Sequence, residues 1–227
     1  MSALPRPGGS RALEFNVVLA ERFSVTDGAE LAGSLFAVPE RERAAAAAML
    51  SDRGIWIHAD VFPDADMGVS LDLITRMVDD GIGPVDVHLL SVGALDALDV
   101  VCRPGIARVT LPFEGIGDVE SSAWRVRTAG ARPWLAVSPG TPFDDYRQQL
   151  QYVDGVLVML IEPGTKNSAD LTQLTKLERS RQNCTTGVDG GVDEENLGRI
   201  LAAGTEYVVI GRRLFTNPKC RTEGERL

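Results

Sequence analysis

The chain has 227 residues, of which 44% are hydrophobic and 24% charged, as in an ordinary globular domain. Its 32 acidic and 23 basic residues give a net charge of −9, which argues against nucleic acid or an anionic membrane surface as the main partner. No apolar run approaches the ~20 residues of a membrane span, and the chain opens without a hydrophobic signal core. Its three widely spaced cysteines are typical of free thiols, so a cytoplasmic protein is expected.

Short apolar segments alternate with helix-like segments along the chain. Helices are predicted over 39–50, 70–80, 141–151 and 193–204, with Ser70 and Asp193 at two of the starts. Eight strands separated by helices, at a spacing of ~20–30 residues, predict a single-domain (β/α)8 barrel of the α/β class. An open doubly wound sheet is the alternative, but no G-x-G-x-x-G follows the first strand. The predicted strands are 31–38, 54–62, 84–90, 106–111, 133–138, 153–161, 184–189 and 206–211.

The two ends of the chain lie outside this pattern. We expect an N-terminal extension (1–30), the barrel (31–216) and a short C-terminal tail (217–227). The tail is short and polar for an eighth covering helix, so the final helix is predicted to be shortened. The segment FNVVLAERFSV (15–25) has the composition of ordered chain. Either this extension or a second subunit would cover one side of the barrel, and a homo-oligomer is expected.

Both histidines of the chain lie towards the ends of predicted strands. His58 is in WIHADVF and His88 is in VDVHLL. Asp60 follows His58 by two residues, so the two side chains point to the same side of a strand. Asp189 ends the seventh predicted strand. A single strand histidine is more often structural, but the carboxyl ends of barrel strands line the active site, and both histidines lie there.

Two imidazoles and two carboxylates from three strand ends can converge on one divalent cation. This donor set suits Zn, Fe, Mn or Co better than Mg, which prefers oxygen ligands. Asp60 and Asp189, held on opposite faces of a substrate carbon, could take a proton from one side and return it on the other. The sequence therefore predicts a metal site that also carries an acid–base pair.

A phosphate site is predicted beside this centre. Gly190 and Gly191 follow Asp189, where they would let the backbone approach a ligand and open the next helix. Gly211 and Arg212 follow the eighth strand. The loops after strands seven and eight are a common phosphate site in such barrels.

Five segments resemble, in order, motifs of the ribulose-phosphate 3-epimerase family, over residues 31–216. GSLFAV matches its P-S-I-L strand and WIHADVF its H-x-D strand. VDVHLL matches its D-V-H-L-M segment, and VDGVLVMLIEPG matches its V-L-V-M-x-V-x-P-G run. GVDGGVDEENLGRILAAGTEYVVIGRRLF matches the closing block from V-D-G-G to G-S-A-I-F.

The resemblance implies a barrel enzyme that inverts the carbon next to the carbonyl of a sugar phosphate of the ribulose 5-phosphate type. Ser34 matches the family's active-site serine, Phe62 stands where a methionine usually covers the substrate, and Met159 matches another such methionine. For Phe62 and Met159, plain core packing is the alternative. Four residues would carry over as ligands of one divalent metal ion: His58, Asp60, His88 and Asp189.

The sequence departs from the family in its substrate loops. PGTKNSA replaces P-G-F-G-G-Q after the sixth strand, which keeps Gly164, loses two glycines and gains Lys166. GRR replaces G-S-A after the eighth strand, which brings in Arg212. Charge at Lys166 and Arg212 could then replace backbone N–H groups in binding an anion.

Other functions fit the same motifs. The chain could act on a different or non-phosphorylated ketose, or it could be a metal-binding barrel that has lost turnover and serves as a binding protein. Lyase or decarboxylase chemistry would recruit a lysine among the carboxylates. None of the three lysines lies at a strand end near Asp60, which counts against that reading.

Overall fold

Eight parallel strands close into a barrel in the computed structural model, which describes residues 13–24, 28–63, 67–165 and 167–216. They follow one another in chain order, and the first pairs with the last, so the predicted barrel is confirmed and the open sheet is wrong. Outside the barrel, β1 (Glu14–Phe15) pairs antiparallel with β10 (Phe215–Thr216). The barrel strands are β2 (Glu30–Ser34), β3 (Trp56–Val61), β4 (Val85–Leu89), β5 (Ile106–Pro112), β6 (Arg132–Val137), β7 (Gly155–Met159), β8 (Thr185–Asp189) and β9 (Tyr207–Ile210).

The helices cover the outside of the barrel and connect its strands. Short 3-10 helices supplement them at Leu35–Ala37, Val92–Ala97, Gln149–Tyr152 and Leu171–Gln173. The α-helices are α1 (Val17–Ser24), α2 (Glu40–Ser51), α3 (Leu71–Asp79), α4 (Leu98–Val101), α5 (Val119–Thr128), α6 (Phe143–Tyr146), α7 (Leu174–Ser180) and α8 (Leu197–Ala202).

Local hydrogen bonds explain where the predicted helices begin. Ser70 Oγ accepts from the N–H of Leu73 at 3.3 Å, so the predicted N-cap of α3 is confirmed. Asp193 instead accepts from the N–H groups of Glu195 and Asn196, both at 3.0 Å, which makes a tight turn. The prediction that a helix begins at Asp193 is therefore wrong, because α8 starts four residues later.

Two further predicted elements are shorter than expected. The first barrel strand ends at Ser34, because the chain turns there into a 3-10 helix. The helix predicted over 141–151 ends at Tyr146, and a 3-10 turn over 149–152 continues it. Both differences lie at element ends, where backbone preferences are weakest.

The N-terminal extension packs on the barrel through α1. Leu19 is fully buried and Phe23 nearly so, and Asn16 donates its backbone N–H to Leu214 O at 2.9 Å. Residues 211–216, the described part of the chain after β9, contain no helix. α1, which precedes the first barrel strand, therefore packs on the barrel where the described residues after β9 form no helix. The expected homo-oligomer stays a prediction, and the tail 217–227 lies outside the described residues.

Side chains of the barrel strands alternate between two environments. On β3, Ile57, Ala59 and Val61 belong to the apolar layer between the strands and the helices. The residues between them point into the barrel, since successive strand residues face opposite sides. The interior apolar cluster comprises Ala32, Trp56, Trp134, Ala136, Leu157, Met159, Tyr207 and Val209. This alternation places His58 and Asp60 inside the barrel.

None of the helices in the described part of the chain is long and apolar enough to cross a lipid bilayer.

Candidate metal and acid–base site

Four side chains that the sequence singled out meet at the carboxyl ends of the strands. β3 carries His58 and Asp60, β4 carries His88, and Asp189 is the last residue of β8. Strand register places Asp60 directly beside His88. Each of the four residues offers one ligand atom, and these atoms all lie within 4.8 Å of one another. Such a group could hold a metal ion.

The imidazole nitrogens face the carboxylates across this space. His58 Nε2 lies 3.2 Å from Asp60 Oδ1 and 3.6 Å from Asp189 Oδ2. His88 Nδ1 lies 3.3 Å and 3.9 Å from the same two oxygens. Both nitrogens are buried, yet neither makes a well-formed hydrogen bond with a described residue. Buried polar atoms are normally satisfied, so these two fit a bound cation.

The other ring nitrogen of His58 is held by a carboxylate that sequence reasoning missed. Asp86 Oδ2 lies 3.0 Å from His58 Nδ1 and also accepts from Tyr207 Oη at 2.9 Å. Asp86 Oδ1 accepts from Thr110 Oγ1 at 2.9 Å. Metal-ligating histidines usually have such a carboxylate partner. Its position two residues before His88, on the same face of β4, was the available signal.

Electrostatic effects separate the two catalytic candidates. Burial would raise the pKa of Asp60, but the imidazoles of His58 and His88 outweigh it and hold the pKa well below its usual range. Burial raises the pKa of Asp189 to about 6, with the charge of Asp60 adding to the effect. Burial would lower the pKa of His58, but Asp60 and Asp86 together raise it well above 6.5. The pKa values of the two carboxylates, Asp60 and Asp189, are thus shifted in opposite directions within one site.

A large cavity of about 1430 Å³ opens above this centre. Ser34 reaches it from β2 and donates its hydroxyl to Asp60 Oδ2 at 3.0 Å. Lys166 lies outside the described residues. The other residues predicted to bind substrate all line the cavity: Ser34, Phe62, Met159, Gly164, Gly190, Gly191, Gly211 and Arg212.

The two glycines after Asp189 are required by backbone geometry. Gly190 has φ +109° and Gly191 has φ +67°. A Cβ at Gly190 would lie 2.5 Å from a side-chain carbon of Ile161, and one at Gly191 would lie 2.6 Å from Ala169 N. The expectation that these glycines open the next helix is wrong, because α8 begins six residues after Gly191. They shape the loop, and no helix terminus lies there.

The N-terminal segment also contributes to the cavity wall, which the sequence did not indicate. Residues 14–18 line the cavity together with the loops after β8 and β9. Asn16 fixes the segment there, because its side-chain amide donates to Glu194 Oε1 and to Arg213 O, both at 3.0 Å. Val17 and Val18 are 51% and 74% exposed. No local signal could reveal this placement, since the two contacts span 178 and 197 residues of sequence.

Comparisons with known proteins identify the family of this chain. The sequence model of the family described as "Ribulose-phosphate 3 epimerase family" matches residues 30–215. Ribulose-phosphate 3-epimerase of Mycobacterium leprae is 26% identical over 171 residues, 70% of this chain and 76% of that protein. The chloroplastic ribulose-5-phosphate-3-epimerase of Arabidopsis thaliana is 27% identical over 175 residues, 70% of this chain and 62% of that protein.

Solved structures show the fold alone. A tryptophan synthase alpha-subunit from Pyrococcus furiosus superposes with a TM-score of 0.57 at 14% identity, covering 81% of this chain and 87% of that chain. The family match spans all eight barrel strands and every residue of the candidate centre. The chain therefore belongs to the ribulose-phosphate 3-epimerase family of carbohydrate isomerases.

Proposed function

We propose that the protein is a metal-dependent epimerase that inverts C3 of a ketose phosphate of the ribulose 5-phosphate/xylulose 5-phosphate type. Family membership supports sugar-phosphate epimerase activity. One observation supports the finer assignment, which is the pairing of Asp60 and Asp189. Their pKa values are shifted in opposite directions, both belong to the group of possible metal ligands, and both line the open cavity. Proton exchange at a carbon next to a carbonyl needs one group that accepts a proton and one that donates it.

His58, Asp60, His88 and Asp189 would hold the metal ion. Their two imidazoles and two carboxylates suit Zn, Fe, Mn or Co. When bound, the cation supplies positive charge that stabilises negative charge developing on the substrate oxygens. His58 Nε2 and His88 Nδ1 support this assignment, because both are buried and neither makes a hydrogen bond with a described residue.

Asp60 and Asp189 move the protons in this proposal. In one direction, ionised Asp60 takes the C3 proton from one face, and the electron pair left behind is delocalised with the neighbouring carbonyl as an enediolate. Protonated Asp189 then donates its proton to C3 from the other face. The reverse reaction exchanges the roles, so the pair carries one proton before and after each turnover. The low pKa of Asp60 and the raised pKa of Asp189 suit these starting states.

The remaining cavity residues orient the substrate. Ser34 fixes the Asp60 carboxylate through its hydrogen bond. Arg212 is exposed at the cavity and makes no ion pair with a described residue, whereas its neighbour Arg213 lies 3.7 Å from Glu194. The loop that contains Gly190 and Gly191 lines the same cavity as Arg212. We assign the phosphate of the substrate to the part of the cavity beside this loop and Arg212, where the guanidinium would supply positive charge and two hydrogen-bond donors.

A second candidate is the same chemistry on a different or non-phosphorylated ketose. It is favoured by the cavity wall contributed by residues 14–18, which lie outside the family match over 30–215. Because these residues lie outside the family match, they could give the cavity a shape that binds a different ketose.

Both candidates are tested by one experiment. Protein purified without chelators is analysed for metals and incubated in heavy water with ketose phosphates and free ketoses. We expect deuterium at C3 of a pentulose phosphate and of its epimer, which NMR would show. Exchange only with a free sugar would favour the second candidate. Absence of exchange by the metal-loaded protein would count against both.

A further inference from the structure

A buried arginine lies beneath the candidate metal centre. Arg108 is on β5, and its side chain is 1% exposed. Its guanidinium carbon lies 4.3 Å from the ring centre of Trp56, 3.8 Å from that of Trp134 and 4.0 Å from that of Tyr207. The rings come from three other strands, so the guanidinium is enclosed in an aromatic cage inside the barrel. Such contacts with desolvated aromatic faces stabilise a buried cation.

Arg108 also needs negative charge, and the structure supplies two carboxylates. Its Nη1 lies 3.8 Å from Asp86 Oδ2, and its Nη2 lies 3.5 Å from Glu30 Oε2. Glu30 is 47% exposed, whereas Asp86 is fully buried. Exposed ion pairs contribute little, so the buried carboxylate is the stronger partner. Arg108 and Asp86 therefore depend on each other for charge compensation.

Asp86 connects Arg108 to the metal centre. Its Oδ2 lies 3.0 Å from His58 Nδ1, 2.9 Å from Tyr207 Oη and 3.8 Å from Arg108 Nη1. Thr110 occupies the other oxygen at 2.9 Å. The carboxylate has no freedom to turn while all these groups are present. His58 then has one ring orientation, which directs Nε2 towards Asp60 and Asp189.

Neighbouring strands are shaped to fit the cage. A Cβ at Gly155 on β7 would lie 2.2 Å from the Trp134 ring, and one at Gly187 on β8 would lie 2.9 Å from it. Two glycines thus make room for the indole. Trp134 and Tyr207 also contact each other, with ring centres 5.4 Å apart. The cage is packed closely, so the guanidinium has little space to move.

Formal charges inside the barrel agree with a paired role. Asp60 and Asp86, when ionised, carry two negative charges, and Arg108 carries one positive charge. One negative charge remains when Asp189 is protonated and two remain when it is ionised, and a divalent cation would compensate this negative charge. Buried charges are tolerated only when compensated, so Arg108 and the cation share the task.

We propose that Arg108 is a positioning residue for the metal centre: held in its aromatic cage, it fixes Asp86 and, through Asp86, the orientation of the His58 imidazole. The inference rests on the proposed metal site. Without Arg108, the buried charge of Asp86 loses its cationic partner and is held only by the hydrogen bonds from Tyr207 and Thr110, so it fixes His58 less firmly. Loss of such a partner typically weakens metal binding about 10- to 100-fold.

The test compares metal binding by full-length variants stripped of metal and reloaded. Arg108→Met removes the charge and keeps the length, Arg108→Lys restores a charge, and Tyr207→Phe removes only the hydroxyl on Asp86. Zn²⁺ affinity is measured by chelator competition, the Co²⁺ absorption spectrum reports the ligand geometry, and circular dichroism reports folding. We expect 10- to 100-fold weaker binding and an altered Co²⁺ spectrum in Arg108→Met and Tyr207→Phe, with partial recovery in Arg108→Lys.

Leu135→Ala is the matched control, because Leu135 is fully buried in the outer apolar layer and no hydrogen bond or ion pair connects it to Asp86. It should lower the melting temperature while leaving metal affinity and spectrum unchanged. Native affinity and spectrum in Arg108→Met would overturn the inference, and if Arg108→Met fails to fold, native values in Arg108→Gln would do the same. Equal weakening in Leu135→Ala would also overturn it. Wild-type protein that binds no metal would refute the proposed site itself.

Discussion

Ser34 and Asp60 are joined by a hydrogen bond of 3.0 Å that leaves one carboxylate oxygen free for the metal centre. The hydroxyl of Ser34 holds Oδ2, while Oδ1 faces both imidazoles at 3.2 and 3.3 Å. One oxygen of Asp60 is therefore bound by Ser34 on the neighbouring strand, and the other faces the candidate metal site. We expect Ser34→Ala to lower kcat by about 10- to 150-fold, the equivalent of a hydrogen bond to a charged group.

Metal content should change much less in Ser34→Ala, because none of the four ligand residues is altered. Steady-state kinetics and elemental analysis on the same preparation separate the two effects. Ser34→Thr keeps a hydroxyl and should recover part of the rate. A rate equal to wild type in Ser34→Ala would show that the hydrogen bond does not matter for turnover.

One divalent ion should bind per chain, and His88→Ala should lose most of it. His88 Nδ1 is a buried ring nitrogen that makes no hydrogen bond with a described residue and faces Asp60 and Asp189 at 3.3 and 3.9 Å, so its removal takes one ligand out of the group. Cys102→Ser is the control, because thiols are not part of the ligand group. Mass spectrometry of metals in protein purified without chelators gives the answer. Full metal content in His88→Ala would exclude His88 as a ligand.

Asp189→Asn should reduce turnover by at least ~10²-fold, the lower end for positioned acid–base catalysis. Deuterium exchange at C3 in heavy water should fall in parallel, since the same carboxyl group would exchange the proton. The nearly isosteric amide preserves the cavity, and metal analysis of the same preparation separates loss of the proton donor from loss of a metal ligand. Near-normal exchange would assign the proton transfer to another group.

Asp189 should also affect the pH dependence of stability when metal is removed by a chelator. Burial raises its pKa from 3.8 to about 6, so the folded state binds the proton more tightly than the unfolded state. Its contribution is most favourable below pH 4 and is lost as the pH rises through about 6, which corresponds to roughly 3 kcal/mol. Asp189→Asn should therefore be more stable than wild type at pH 8 and similar at pH 4. Urea denaturation at both pH values measures this, and an equal difference at both would contradict it.

Arg212→Ala should raise KM for a phosphorylated ketose by about 10- to 150-fold, with little effect on the free sugar. Both arginines line the cavity, but Arg213 lies 3.7 Å from the carboxylate of Glu194, whereas Arg212 makes no ion pair with a described residue, so Arg213→Ala is the matched control. Lys166→Ala tests the same idea for a residue outside the described ranges. Equal changes for phosphorylated and free substrates would show that neither side chain recognises phosphate.

Leu19→Ala should destabilise the protein by about 2–5 kcal/mol, the usual cost of truncating a fully buried leucine. The effect is expected because α1 covers the barrel wall. Val18→Ala on the same helix is the control, since Val18 is 74% exposed. Chemical denaturation measures both, and a Leu19→Ala protein as stable as wild type would show that α1 does not support the barrel.

Sequence alone was sufficient for the barrel and for the meeting of His58, Asp60, His88 and Asp189. The reason is local: strand periodicity puts His58 and Asp60 on one face, and parallel strands of similar length bring their carboxyl ends to one edge. Element ends were less certain, as the late start of α8 shows. There a single side chain, Asp193, made a turn where a helix was expected.

Tertiary structure decided which residues surround that centre. Asp86 supports His58 only because β3 and β4 pair in the register that sets His58 beside Asp86. The cage around Arg108 draws on three other strands, and its closest fit depends on the absence of a side chain at Gly155. Residues 14–18 reach the cavity because the closed barrel brings both ends of the described chain together. Register and closure are long-range properties, set by the packing of segments far apart in sequence, and no local pattern contains them.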